Sequence, residues 1–215
     1  MSGRTEIINQ ALLYAKQDLI FDPMGESKNS KLCEMVYEPT LHEALTGHVW
    51  TFALVAAQLQ LLAHKPLDHR FEYAYQLPAN FGKMQVASSG IRFEDWVEDT
   101  NLRQLIVQYG NTADSIPVPE YVVHGSELYS NYQHIQIIYT RTDIQPHEMS
   151  PQFRNYFSSL IALKLYTKVT GSEEGLADLD KYSQRLLLAA RNADGDQMDT
   201  MPPNRPNLFI RARVY

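Results

Sequence analysis

This sequence holds little that could staple, anchor or charge it strongly. Cys33 is its only cysteine, so no disulfide forms within the chain and a secreted disulfide scaffold is excluded. Cys33 stands among Leu32, Met35 and Val36. These are the surroundings of a buried small apolar residue, not of a reactive thiol, which needs electropositive neighbours. Long apolar runs are also missing. None approaches the roughly 20 residues that cross a bilayer, and "MSGRTEIINQALLYAKQDLI" contains no unbroken apolar core of a signal peptide. The expectation is a soluble protein, made in a cytoplasm, without direct membrane insertion. Positive charge is in short supply: 19 Lys and Arg stand against 25 Asp and Glu, a net charge of -6. Such a chain does not clamp nucleic acid by neutralising phosphates, although a polyanion can slide past it.

Common catalytic signatures are absent too. There is no GxGxxG, no GxxxxGK[ST] and no GxSxG elbow. The histidines His42, His48, His64, His69, His124, His134 and His147 form no HExxH. His64 and His69 are spaced too widely to share one helical face, so structural or surface roles are expected, with no cofactor and no metal. "DGDQMD", with Asp194, Asp196 and Asp199, lacks the spacing and closing glutamate of a calcium loop and reads as a solvated turn. Glu94, Asp95, Glu98 and Asp99 crowd around Trp96. A glycosidase needs only two carboxylates at a suitable separation, which keeps a glycan hydrolase as the alternative reading, but this run has the look of an exposed loop. Basic residues meet aromatics only in "NRPNLFIRARVY". Composition and spacing alone indicate a soluble, non-enzymatic α+β interaction protein.

What is present is an ordinary core-forming composition, 44% hydrophobic, in a chain of one-domain length. Ile8, Ala11, Leu12, Ala15 and Leu19 recur at helical spacing and predict a helix from about Thr5 to Leu19, broken by Pro23 and Gly25. Leu32, Met35, Val36, Leu41 and Leu45 predict a second helix over about 30–45. Pro39 falls inside it and either kinks it or restarts it. "HVWTFALVAAQLQ" (His48–Gln60) then concentrates Trp50 and Phe52 in a short helix continuing to about Ala57.

The period changes to two at Phe71, Tyr73, Tyr75 and Leu77, with Pro78 as the stop. Lys83–Ser88, "RQLIVQYGN", "EYVVHGSELYS" and Ile135, Ile137 and Tyr139 add further strands, with turns at Gly110-Asn111 and His124-Gly125. Five or six strands in one antiparallel sheet are expected. Helical spacing returns after Ser150, a cap, and Pro151, a first-turn residue. Phe153, Phe157, Leu160, Ile161, Leu165 and Val169 mark one helix, ended by Gly171. Ser172 caps the next, with Leu176, Leu179, Leu186, Leu187 and Ala190 as its stripe and Gly195 as a left-handed stop. The fold class is therefore α+β. A helical bundle is built from the N- and C-terminal helices (1–62 and 148–195), an antiparallel sheet is inserted (70–142), and an extended segment follows (196–215). Trp50, Phe52, Leu77, Pro78, Phe153 and Phe157 are its structural core candidates, with Trp50 and Phe52 plugging the bundle where the chain leaves it.

Several stretches, taken in order, resemble tail tubular protein A, the head-to-tail adaptor family of short-tailed bacteriophages. "LCEMVYEPTLHEALTGHVWTFA" (Leu32–Ala53) is similar to the family's Cys-x3-Tyr helix and His-x-Trp-x-Phe-Ala signature. "EYAYQLPANFGKMQVAS" (Glu72–Ser88) is similar to its Tyr-x-Leu-Pro strand and the strand after it. "YVVHGSELYSNYQHIQIIYT" (Tyr121–Thr140) is similar to its Gly-turn hairpin. "MSPQFRNYFSSLIALKLYTKVTGS" and "LDKYSQRLLLAARNADG" are similar to its closing helix pair. The chain departs from the family at Asn80-Phe81-Gly82, where Asp-Cys is frequent, at Pro39, and after Gly195, where nothing matches.

The resemblance implies no catalytic residues. It implies a structural virion protein of the tail or neck, made in the host cytoplasm. The protein would form a homo-oligomeric, dodecameric ring between portal protein and tail nozzle protein, through which double-stranded DNA passes non-specifically during ejection. Negative subunits around a lumen would repel phosphate, unless the acidity is ordinary surface charge. From physics alone, Leu208, Phe209, Ile210, Arg211, Arg213 and Tyr215 alternate as a strand and are the candidate interaction residues. That strand would dock on a neighbouring subunit or ring. A general oligomeric scaffold outside phages is the third reading.

Overall fold

α1 (Gly3–Tyr14) buries Ile7, Ile8, Ala11 and Leu12. It stops short of the expected Leu19 because the chain turns at Lys16, whose φ is 55°. The N–H of Lys16 donates to Leu13 O at 3.0 Å and that of Gln17 to Leu12 O at 2.9 Å. This bond pair is a Schellman motif, with a lysine in the left-handed position where glycine costs least. The structure is a computed structural model that describes residues 3–20, 25, 27–89, 120–170 and 173–196.

α2 (Lys28–Thr46) starts where Ser27 Oγ accepts from Ser30 N at 3.0 Å, and it runs through Pro39 without restarting. Proline removes the N–H that would reach Met35 O. Pro39 is exposed and Met35 is 74% exposed, so this turn lies on the solvent side, where a freed carbonyl costs least. The buried face is Cys33, Tyr37, Leu41, Ala44 and Leu45. That corrects the expected stripe: Met35 points outward, and Leu32 and Val36 are only flanking residues.

α3 (Pro151–Thr170) packs against α1, α2 and α4 (Leu176–Asp196). Ser150 Oγ accepts from Phe153 N at 3.2 Å, and Pro151 occupies the first helical position. Phe153, Phe157, Ile161, Ala162 and Leu165 are buried. Small hydroxyl residues let the neighbouring helices approach. Ser158 Oγ donates to Ile7 O at 3.1 Å, and Ser159 and Ser183 share a hydroxyl bond of 2.8 Å. α4 is entered through Gly175 at φ +87°, where a Cβ would stand 2.7 Å from the Tyr166 hydroxyl. The caps expected at Gly171 and Ser172 lie outside the described residues, as does the Val169 side chain. Gly195 is not the expected left-handed stop; it stays inside α4.

The residues after Trp50 correct another expectation. A single 3-10 turn, Thr51–Ala53, leads at once into β1 (Leu54–Gln58) rather than into a helix reaching Ala57. Extended backbone therefore begins ahead of residue 70, and the short β2 (Gln60–Leu61) follows. β3 (Tyr73–Gln76), β4 (Phe81–Ser88), β5 (Tyr121–His124), β6 (Glu127–Ser130) and β7 (Gln136–Arg141) follow. The expected strand at 103–111 and its Gly110 turn lie outside the described residues.

There are two antiparallel sheets, not one, ordered β1-β7-β4 and β2-β3-β6-β5. β7 is the centre of the first sheet, and its residues 136–140 are buried on both faces. β4 carries two register shifts. At the first, Gly82 lies so close to β7 that a Cβ would stand 2.7 Å from Thr142 Cγ2 and 2.8 Å from Thr140 O, a packing only glycine permits. Leu59, Tyr75, Leu77, Ala87, Leu128, Ile135, Ile137 and Tyr139 form the core of the strand region. A larger core runs through the helices. The architecture is mixed helix and antiparallel sheet, an α+β fold.

Candidate functional site

The Trp50 knot is where the helical layer hands the chain to the strands. Trp50 is fully buried, and its Nε1–H donates to Ala44 O at 2.8 Å. That carbonyl lies in the last turn of α2, where helical acceptors have no N–H of their own. The indole meets Phe153 edge-on at 4.8 Å, His48 at 4.6 Å and Phe52 at 6.1 Å between centroids. Phe153 stacks on Phe157 at 6.2 Å. Four of the six core candidates thus meet in one aromatic cluster. Leu77 lies in the other core, and Pro78, half-buried beyond β3, accepts from Phe81 N at 3.0 Å.

One contributor to this knot is not the solvated residue that the sequence pattern predicts. Asp194 is buried, not a turn carboxylate, and its oxygens accept from Thr51 N at 3.0 and 3.4 Å. The end of α4 is thereby tied to the first residue of the turn that starts β1. The signal was hidden because Asp194 sits among other acids in a stretch that looks loop-like.

The second sheet carries a surface depression beside one of its hairpins. Gly125 takes φ +61° and Ser126 has no positive φ, so the β5–β6 hairpin closes on a two-residue turn with glycine first, the II′ type whose twist suits paired strands. Beside it lies a depression of about 350 Å³ lined by His64, Leu67, His124, Gly125, Ser126, Glu127 and Tyr129. His64 Nε2 lies 3.1 Å from Glu127 Oε2, and this hydrogen bond holds the Glu127 carboxyl below its ordinary range. The His124 ring stacks on Tyr129 at 6.0 Å. Arg70 beside Asp68, bonded at 2.7 Å, pulls that carboxyl down to about 2. These are exposed ion pairs, worth little to stability.

Among the described residues, no three His, Cys, Asp or Glu side chains converge on a metal-sized point. Burial pushes the Cys33 thiol up to about 11, the state of an inert core thiol. No helix among the described residues is long and apolar enough to cross a membrane. The carboxylates around Trp96 and the interaction candidates Leu208, Phe209, Ile210, Arg211, Arg213 and Tyr215 lie outside the described residues.

Large apolar side chains instead stand on several outer faces. Leu13, Met35, Leu67 and Leu188 are each at least 60% exposed. Val122 and Val123 on β5 and Leu61 on β2 add to them. Comparison with family models and with curated proteins returns no match.

Proposed function

We propose that this chain is a structural protein of a short-tailed bacteriophage particle. It forms a ring that links the portal to the tail nozzle and lines part of the DNA ejection channel. The observation that carries the reading is the distribution of exposed apolar residues. They occur on α1, α2, α4 and both edge strands of the second sheet, so apolar contact points are available to neighbouring copies on several sides. The ordered resemblance to the adaptor family supports the same reading, and its Trp50 signature falls on the joint between helices and strands.

In this reading the helices before and after the strands form one bundle, with the strand region inserted between them. Residues 197–215, beyond α4, extend away to bind a neighbour. Side-to-side contacts between unlike surfaces close the ring, and the net charge of -6 per copy keeps passing DNA from sticking. The protein has no catalytic task and is found in the neck of the particle after synthesis in the host cytoplasm.

The test is negative-stain imaging of the full chain mixed with portal assemblies, together with mass spectrometry of purified infectious particles. Rings of uniform diameter stacked on portals, and the chain present in particles, are expected. Its absence from particles overturns the reading. So does glycan hydrolysis in a zymogram that a single carboxylate substitution abolishes, which would make it a tail-associated hydrolase.

A further inference from the structure

The outer edge of β5 is a strand-pairing site left open among the described residues. β5 pairs with β6 on one side and with no described strand on the other. His124 and Glu127 flank the two-residue turn and face each other, so in a hairpin of this kind they exchange both backbone bonds. Alternation then gives the next exchange to Val122 and Tyr129. Tyr121 and Val123 are left with N–H and C=O directed outward.

Edge strands normally carry lysine, proline, a bulge or a covering element that prevents further pairing. β5 reads Tyr-Val-Val-His and pairs with β6 in unbroken register. Its two valines are 36% and 40% exposed. Among the described residues, β5 thus carries no lysine, proline or bulge against further pairing.

Resting on the reading of the chain as a self-assembling subunit, we propose that residues 208–215 of a second copy add to the outer edge of β5 as a further strand. Charge selects this occupant. None of β2, β3, β5 and β6 contains Lys or Arg, while Glu127, bonded to His64, lies on β6 and the exposed Glu72 and Glu120 flank the sheet, with Arg70, held by Asp68, the positive group acting on Glu120. The segment 204–215 has the opposite character: Arg205, Arg211 and Arg213 with no Asp or Glu. Strand period places Leu208, Ile210 and Ala212 on one face and Phe209, Arg211 and Arg213 on the other. It can therefore cover apolar surface while its arginines meet carboxylates.

The linker before the segment is long. The end of α4 is held at Thr51 through Asp194, and residues 197–207 span up to roughly 35–40 Å when extended. Donor strand and acceptor edge are unlike surfaces, so each copy can give one and receive one. That is the contact geometry from which rings close.

The experiment uses the full chain with Phe209 replaced by photoreactive benzoyl-phenylalanine, in a mixture of isotopically light and heavy copies at up to about 1 mM, enough to populate a contact with a millimolar dissociation constant. Irradiation is expected to give adducts between light and heavy chains that map to residues 120–124. Adducts confined to one isotope would mean that the segment folds onto its own copy. Adducts elsewhere, or none at 1 mM, would mean that β5 is not the acceptor. Each of these results overturns the proposal.

Val123→Pro removes an outward N–H without touching a β6 bond and is expected to lower the adduct yield about tenfold or more. Should it unfold by circular dichroism, Val122→Lys and Val123→Lys, both at exposed positions, test the same edge. They are expected to lower the yield more at low salt than at high salt. An unchanged yield in folded variants also overturns the proposal. The chain's presence in particles without β5 adducts sinks strand addition alone. Light–heavy adducts at β5 with the chain absent from particles sink the adaptor reading alone.

Discussion

Replacing Trp50 by alanine tests whether the joint between helices and strands is held as described. The change deletes a fully buried indole packed against Phe153, Phe52 and His48. Removing a buried large aromatic costs about 3–5 kcal/mol in lost transfer energy and cavity formation. It also strips Ala44 O of its donor at 2.8 Å, and an acceptor stranded in the interior adds about 1–3 kcal/mol. Natural domains hold about 5–15 kcal/mol in all, so Trp50→Ala consumes a large share. Trp50→Phe weights the two contributions differently, since it keeps most of the aromatic packing but loses the N–H together with part of the indole volume. Its expected cost is about 1–3 kcal/mol. Urea unfolding followed by far-ultraviolet circular dichroism reads both. With a slope of about 2–3 kcal/mol/M, the alanine midpoint should fall by roughly 2 M and the phenylalanine midpoint by roughly 0.5–1 M. A loss below about 1 kcal/mol for Trp50→Ala would refute the reasoning. Equal losses for the two variants would refute the partition into cavity and stranded carbonyl.

Other consequences follow from single residues. Gly82→Ala drives a Cβ to 2.8 Å from Thr140 O, a backbone atom that cannot swing aside, and should cost about 1–3 kcal/mol, seen as a melting temperature lower by several degrees; no shift would contradict the close approach. Lys16→Gly relieves a left-handed lysine at φ 55° and should stabilise by about 0.5–1 kcal/mol, with a higher urea midpoint as the readout and a lower one as the refutation. Asp194→Ala leaves Thr51 N without its acceptor and should cost about 1–3 kcal/mol, whereas Asp194→Asn, which retains one acceptor oxygen, should cost less; the reverse order in chemical denaturation would be wrong for this geometry. Burial raises the Cys33 thiol from 9.0 to about 11, so its contribution is complete below about pH 9 and is lost as pH rises toward 11. The urea midpoint should fall over that window by less in Cys33→Ala than in the parent chain, and identical profiles would count against it.

The helices around Phe153 and Phe157 could be read from the chain because their residues repeat at the helical period and are preceded by Ser150 and Pro151, which fix the start locally. The β5–β6 turn was equally local, since His-Gly-Ser needs only one positive φ. Tertiary packing decided the rest. Leu32 and Val36 lie next to Cys33 and Tyr37 on α2, and only the position of Phe157 against Tyr37, at 5.1 Å between ring centroids, settled which row faces inward and sent Met35 outward. The strand that follows Trp50 depends on pairing with β7, whose partner residues lie some eighty positions away, and local spacing carries no record of that. The same holds for the division into two sheets and for Asp194, which looks like a solvated acid until Thr51 comes within 3.0 Å.

Sequence by itself determined where hydrophobic periodicity changes, and with it the order of helices, strands and helices, because periodicity is a property of neighbouring residues. Which faces close on one another, which strands pair and which charge is buried were decided only in three dimensions, because each depends on the distance between groups far apart along the chain.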